Sequence, residues 1–472
     1  MKQDTAPDAA RLAALHALTK VREDDAYANL VLPTLLDQAR LGRRDAAFAT
    51  ALTYGALRLQ GRYDAVITNC VDRPLGRIDA VVLDVLRLGA HQLLGMRVPT
   101  HAAVSTTVDL AAHSAGRGAA GFVNAVMRRI SDRDLDNWLE HLRQDAPDEI
   151  TALSRTQSHP QWVVKALRQA LKLNGRSPSE LEALLEADNT EPQVALCARP
   201  GLISPAHLAE QVRAATGEDA RPGRLSPHAL ILSGGDPGRI EAVRDSRAGV
   251  EDEASQLVAL MLAAAPLEGD DARWLDLCAG PGGKAALLGA LAAERNAELV
   301  ANEVTDHRAR LVAGAVRALP EGVVRVRTDD GRDLGRQEPG VYDRVLVDAP
   351  CSGLGSLRRR PEARWRRTPQ DVAALAELQR ELLASAIAAV RPGGVVAYVT
   401  CTPHVLETSL VVRDATRQAA RVGIVLEPLH AGRLAAELAP QPPAGADREM
   451  LQTWPHLDDS DAMFCALLRR TV

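Results

Sequence analysis

Two cysteines and one glycine-rich turn carry most of the chemistry legible in this 472-residue chain. Cys351 follows an apolar run in DRVLVDAPCSGLG, and Cys401 ends another in GGVVAYVTC. If both runs are parallel strands of one sheet, the two thiols emerge at the same carboxyl edge and face one pocket. A free thiol has a pKa of about 8.5 and is only a few per cent thiolate at neutral pH, so a working nucleophile needs a helix dipole or a nearby cation. A single cysteine is more often a small buried hydrophobe, and that reading is kept for Cys70, Cys197, Cys278 and Cys465. The six cysteines lie far apart with no C-x-x-C pair, which argues against a disulfide framework and a zinc site, so no metal is expected.

The segment LDLCAGPGGKAALL puts a strand, a Gly-rich turn and a helix in immediate succession. The turn reads Cys278, Ala279, Gly280, Pro281, Gly282, Gly283 and Lys284, and the backbone N–H groups of its glycines can approach a ligand without a Cβ in the way. The spacing is neither that of a P-loop nor G-x-G-x-x-G, and it suits a nucleotide-type ligand or a tight structural turn. Glu303 closes LVANE and Asp330 follows VRVRTD, both at strand ends where such a sheet binds ligands. Carboxylates there suit ribose hydroxyls and an adenine amino group. Taken singly, each also reads as a solvated loop acid or a helix N-cap, but their order after the turn favours a ligand. The run RRRPEARWRR adds Arg358, Arg359, Arg360, Arg364, Arg366 and Arg367 directly after Cys351. It is expected to line the rim of the pocket with phosphate-binding groups, or else to form a solvated helix face.

The elements that position these residues fall into three regions. Residues 1–145 read as an all-α domain, with apolar residues at helical spacing: Phe48, Leu52, Gly55 and Leu59; Val82, Val85, Leu86 and Gly89; Phe122, Val126 and Ile130. Asp45 and Asp79 are candidate N-caps, and Gly61 and Gly116 fall where helices should stop. Residues 146–240 read as a helical connector and a small α/β subdomain with strands VALCA and ALIL around the helix PAHLAEQVRAA. Residues 241–472 alternate strand and helix through RWLDLCA, ELVANEV, VVRVRTD, DRVLVDAP and GGVVAYVTC, the pattern of a doubly wound parallel sheet. The final apolar run AMFCALLRR is expected to be an antiparallel edge strand.

Composition bounds the function. With 46% hydrophobic residues each region can bury a core, but at 3% aromatics the cores are built from Leu, Val and Ala, and rows of base-stacking rings are not expected. The formal charge of −5 does not advertise a nucleic-acid binder, so any RNA contact must use local basic patches. The opening MKQDTAPDAARLAAL shows no basic region followed by an apolar stretch, and no run of about 18 apolar residues exists, so a cytoplasmic protein with no membrane partner is expected.

Taken together and in order, LDLCAGPGGK, DAPCSGLG and YVTC resemble the RNA 5-methylcytosine methyltransferases of the NOL1/NOP2/Sun family, over most of residues 240–472. The start, with ALTYGALR and GFVNAVMRRI, resembles the NusB-like RNA-binding domain that the bacterial RsmB (Fmu, Sun) branch carries ahead of a Rossmann-like class I methyltransferase core. The resemblance implies that Cys278–Lys284 wraps S-adenosylmethionine, that Glu303 takes the ribose, and that Asp330 and Asp348 complete the cofactor and cytosine pocket. It further implies Cys401 as nucleophile, Cys351 as an aid to product release, and Asp348 as a hydrogen-bonding partner of the cytosine ring. The implied substrate is a cytosine of small-subunit (16S) ribosomal RNA. Other readings are a different RNA such as tRNA, a DNA enzyme with Cys351 as nucleophile, or a noncatalytic RNA-binding or ribosome-assembly factor. The chain departs from the family pattern at Ala279-Gly280, usually Ala-Ala, and at Glu303, usually Asp, and both changes keep the needed chemistry.

Overall fold

The computed structural model of the chain describes residues 7–472 apart from residue 97. Residues 1–6, part of the opening segment read for a leader, lie outside the described residues. The chain forms two compact units: residues up to 168 with 177–190 and 357–366, and residues 169–176 with 191–356 and 367–472.

The first unit is helical. Leu52, Val85, Leu86, Val126 and Ile130 are buried in one cluster, against which Phe48, Leu59 and Phe122 pack in part. Asp79 caps Ala80–Leu94, accepting from Val81 N at 2.9 Å and Val82 N at 3.2 Å. Asp45 is not a cap: Gly42 caps Arg43–Arg58, and Asp45 sits in the first turn, where the helix dipole still favours its charge. Gly116, at φ 87°, ends Thr100–Ala115 as expected. Gly61 does not stop a helix but lies inside Gln60–Cys70. Its small size serves packing, since a Cβ there would meet the Trp365 ring at 2.4 Å.

That tryptophan belongs to the arginine-rich run, which is neither a solvated face nor a phosphate rim over most of its length. Arg358 and Arg364 are 1% and 0% exposed. Arg364 donates to Ser158 O at 3.0 Å, Asp188 O at 3.1 Å and Asn189 Oδ1 at 2.7 Å. Arg366 donates to Val21 O and Asp25 O, both at 2.7 Å, and Arg360 stacks over Tyr27. A guanidinium presents a rigid fork of donors, so one side chain can satisfy several buried carbonyls that helix ends leave over. Phosphate binding and backbone stapling use the same donors, and sequence spacing does not distinguish them.

The second unit holds two sheets. The smaller is built from β1 (Val194–Ala198), β2 (Ala220–Pro222), β3 (Ala229–Leu232) and β4 (Ala248–Val250), in the order β2-β3-β1-β4. VALCA and ALIL form β1 and β3 as expected; β2 and β4 are too short to stand out in the sequence. With helices Pro205–Thr216 and Glu241–Arg244 between strands, this is a β-α-β-β-α-β arrangement. The central strands carry no aromatic residue, and Cys197 of β1 is buried in the same cluster as Leu257 and Val258 of the helix Glu253–Ala264. The sheet therefore offers no base-stacking platform.

The larger sheet comprises β5 (Arg273–Asp276), β6 (Glu298–Asn302), β7 (Val324–Arg327), β8 (Tyr342–Asp348), β9 (Val390–Thr400), β10 (Leu426–Leu429), β11 (Leu451–Gln452) and β12 (Phe464–Arg470). Its order is β10-β12-β9-β8-β5-β6-β7, with β11 on β12. β5 to β9 run parallel, which is the expected doubly wound core. AMFCALLRR is antiparallel as expected, but it is not at the edge: β12 lies between β9 and β10. The edge falls to LEPL of β10, whose Pro428 has no N–H to offer a further strand.

Removing Arg364 would leave the buried Asp188 carboxylate beside only His159, whose burial lowers its pKa to about 4 and keeps it neutral at pH 7. Arg364→Ala is therefore expected to destabilise the helical unit by about 3 kcal/mol. Faster amide exchange across residues 156–190, with exchange in the larger sheet unchanged, is the expected measurement; unchanged exchange in both would contradict it.

Candidate active site

β5 and β8 are hydrogen-bonded neighbours although β6 and β7 come between them in sequence. This is the switch point of the sheet, and open α/β sheets bind ligands in the crevice beyond the strand ends there. The loops after β5, β6, β8 and β9 carry the Gly-rich turn, Glu303, Asp348–Cys351 and Cys401, so sheet order brings these residues together.

The Gly-rich loop is shaped by close approach. Gly282 has φ 113°, and a Cβ on it would lie 2.9 Å from Val312 Cα and 2.7 Å from Ala315 Cβ. Gly283 then opens the helix Gly283–Glu294, leaving its first amides toward the crevice. Ala279 N donates to Asn302 O at 2.7 Å, and Gly280 N to Glu303 Oε2 at 3.1 Å. Asn302 Nδ2 in turn donates to Leu277 O at 3.1 Å and Asp329 O at 3.0 Å, tying three strand ends together. Glu303 is 2% exposed and also accepts from Thr305 N at 3.3 Å, while Arg308 pairs with it at 3.5 Å. Asp330 caps Gly331–Gln337 and pairs with Arg332 at 2.6 Å, so the N-cap reading of this residue holds whatever else it binds.

The sulfurs of Cys351 and Cys401 are 3.3 Å apart. Lys284 Nζ lies 3.0 Å from Asp348 Oδ2 and 3.3 Å from Ser255 Oγ, joining the Gly-rich loop to the loop of Cys351. The Asp348 charge holds the Lys284 ammonium protonated against the cost of its burial. The bond between the thiols raises the Cys351 pKa and lowers that of Cys401. Burial and the Glu407 charge push Cys351 further up, whereas Lys284 helps hold Cys401 down against burial and Asp348. Cys278 is pushed well up by burial and by the Asp276 charge, and stays a neutral thiol, as do the buried Cys70, Cys197 and Cys465.

Two carboxylates absent from the sequence expectations complete the site. Asp276, the last residue of β5, is 1% exposed and neither oxygen has a hydrogen-bond partner. Burial and then repulsion from Asp348 push it up to about 8. Glu251 also has a buried oxygen without a partner, and burial raises it to about 7 against the pull of Lys284 and Arg199. An acidic residue inside the apolar run RWLDL is a signal that could have identified Asp276; nothing in GVEDEAS marks Glu251. Among the described residues no group of three or more His, Cys, Asp or Glu is arranged to hold a metal ion, and no helix is long and apolar enough to cross a membrane.

A family model described as 16S rRNA methyltransferase RsmB/F matches residues 261–469, and the NusB family model matches residues 8–132. Ribosomal RNA small subunit methyltransferase B of Pseudomonas putida is 33% identical over 416 residues, 85% of this chain and 88% of its own. The chain belongs to the RsmB/F family of 16S rRNA methyltransferases. Rv1407 of Mycobacterium tuberculosis is 51% identical over 464 residues, 98% of this chain and 97% of its own. Among solved structures, PH0851 shares the fold over 98% of this chain and 99% of its own, with a TM-score of 0.77 at 20% identity. NSun6 from Pyrococcus horikoshii, solved with SFG, covers 65% of this chain and 98% of its own, with a TM-score of 0.53 at 19% identity.

The family uses S-adenosylmethionine, and the site fits it. The donor carries an ammonium and a sulfonium, and the buried, unpartnered carboxylate of Asp276 is a group whose burial a cation would offset. The Gly-rich turn leads directly into Gly283–Glu294, whose N-terminal amides suit a carboxylate or hydroxyl oxygen of the donor.

Because the Asp276 carboxyl is raised above its unfolded value of about 3.9, it costs stability that is absent below pH 4, grows as pH rises, and is complete above about 8. Asp276→Asn is therefore expected to melt with the wild type near pH 4 and above it at pH 8, while binding S-adenosylmethionine at least about tenfold more weakly. Thermal scans across pH and titration calorimetry measure the two effects, and wild-type affinity in the variant would remove Asp276 from the cofactor site.

Proposed function

We propose that this chain methylates carbon 5 of a cytosine in small-subunit ribosomal RNA through a covalent bond from Cys401 to carbon 6 of the base. The observation that carries the reading is the pair of thiols 3.3 Å apart beside Lys284 and Asp348, with Cys401 the more acidic. Carbon 5 of an aromatic cytosine is too weak a nucleophile to take a methyl group. Addition of a thiolate at carbon 6 breaks the aromaticity and places electron density on carbon 5. Bound S-adenosylmethionine supplies an electrophilic methyl group. Lys284 keeps Cys401 ionised, and Asp348 hydrogen-bonds the base and stabilises the adduct. Once the methyl group is on carbon 5, the proton at that carbon passes to water, its C–H electron pair reforms the 5,6 double bond, and the C6–S pair leaves with the Cys401 sulfur as thiolate; Cys351 assists that departure. Cys278–Lys284, Glu303, Asp330 and Asp348 hold the cofactor, with Glu303 on the ribose.

A mechanism with Cys351 as nucleophile, the pattern of DNA cytosine methyltransferases, fares worse. The bond to Cys401, burial and the Glu407 charge push the Cys351 thiol up, whereas the bond to Cys351 and the Lys284 charge pull Cys401 down. The match of residues 8–132 to the NusB family also supports an RNA partner. Extruding a stacked, paired base costs a few kcal/mol, so the substrate cytosine is one in accessible, unpaired RNA.

Transfer of labelled methyl from S-adenosylmethionine to unmodified 16S rRNA tests the reading. Wild type is expected to label cytosine at carbon 5, and to prefer naked RNA over assembled subunits; Cys401→Ala is expected to label nothing. Label with neither would indicate a noncatalytic assembly factor or another RNA such as tRNA. Cys351→Ala is expected to accumulate a covalent protein–RNA complex on a denaturing gel, and absence of that band would overturn the role given to Cys351.

A further inference from the structure

The residues that follow the two thiols are bonded to each other and to one buried carboxylate. Ser352 Oγ bonds Thr402 Oγ1 at 3.1 Å. Ser352 N donates to Glu407 Oε1 at 2.8 Å, and Ser352 Oγ donates to Glu407 Oε2. Gln379 Nε2 donates both to Pro350 O at 2.8 Å and to Glu407 Oε1 at 3.1 Å, so the chain is gripped on each side of Cys351. From the other direction, Gly355 N donates to Cys401 O at 2.9 Å. Glu407 is 0% exposed, and the Glu407 backbone oxygen accepts from Tyr398 at 2.8 Å.

The donors around this carboxylate, Ser352 and Gln379, are neutral. A buried carboxylate held by neutral donors costs stability that a glutamine of the same shape would not. A carboxylate, however, offers two acceptor oxygens, and Ser352 N, Ser352 Oγ and Gln379 Nε2 use both, which a glutamine with its one oxygen cannot match.

We propose that Glu407 is a positioning residue that, through Ser352 and Gln379, holds Cys351 against Cys401. The inference rests on Cys401 being the nucleophile, and it assigns the placing of the second thiol to one buried carboxylate that grips the chain on both sides of it.

The test is alkylation of the full chain by iodoacetamide across pH, without RNA, with each cysteine quantified by peptide mass spectrometry. Glu407→Gln is expected to raise the ratio of Cys351 to Cys401 labelling at pH 7.5 by about tenfold, the equivalent of one pKa unit, and to move the Cys401 midpoint upward. In methyl transfer the variant is expected to lose kcat with KM for RNA unchanged. Because Glu407 acts through Cys351, adding Glu407→Gln to Cys351→Ala is expected to leave the Cys401 midpoint where Cys351→Ala alone puts it. Ser352→Ala, which removes the hydroxyl link but keeps the charge, is expected to shift the ratio the same way and less, and it serves if the glutamine variant fails to fold. A wild-type ratio in the folded variants, or additive shifts in the double variant, would overturn the proposal. The alkylation result is independent of the RNA product: labelling that shifts as expected in a chain that methylates no cytosine would reject the carbon-5 reading and uphold the role of Glu407.

Discussion

A thiolate buried beside a second thiol persists only if a positive charge is held close by, because burial otherwise returns the proton to sulfur. Here the cation is Lys284, and it is supplied by a different part of the chain from either thiol. Lys284 stands in the first turn of the helix after β5, Cys351 in the loop after β8 and Cys401 just after β9. They meet because β8 pairs with both β5 and β9 in one parallel sheet. Asp348 holds the lysine in place and keeps it charged. The sheet order is thus the condition for the chemistry, and the ion pair is its local expression.

The same crevice contains charge that the chain does not neutralise. Asp276 and Glu251 keep buried oxygens without hydrogen-bond partners, at a cost to the folded chain. Such conflicts between stability and local structure concentrate at functional sites, where a ligand offsets the cost. A cationic methyl donor is suited to that task. Glu407 is a different case, since its oxygens are hydrogen-bonded but its charge is unmatched by a bonded cation.

The arginine-rich run shows how one composition serves two physical ends. Next to the active-site cysteine in sequence, it looks like a phosphate-binding rim. In the helical unit Arg364 and Arg366 instead complete the hydrogen bonding of carbonyl groups near residues 21–25, 158 and 188. A guanidinium buried against several carbonyls forgoes hydration but regains most of its hydrogen bonds.

The sequence by itself determined the parallel order of strand and helix, the all-α start, the Gly-rich turn and the identity of the two cysteines, because periodicity and turn chemistry are local and survive in one dimension. It also marked Glu303 and Asp330 by their place at strand ends, and Asp348 by resemblance to the family. It misread Gly61 and Asp45, where packing against Trp365 and a cap one turn earlier overrode local preference. It placed AMFCALLRR at an edge, because strand order within a sheet is a property of pairing between distant segments. Only the tertiary structure decided that the two sulfurs meet, which carboxylates lie unpartnered, and where the arginines point. Those outcomes depend on distances between groups far apart in the chain and on the removal of water around them, and neither is encoded in the spacing of residues along it.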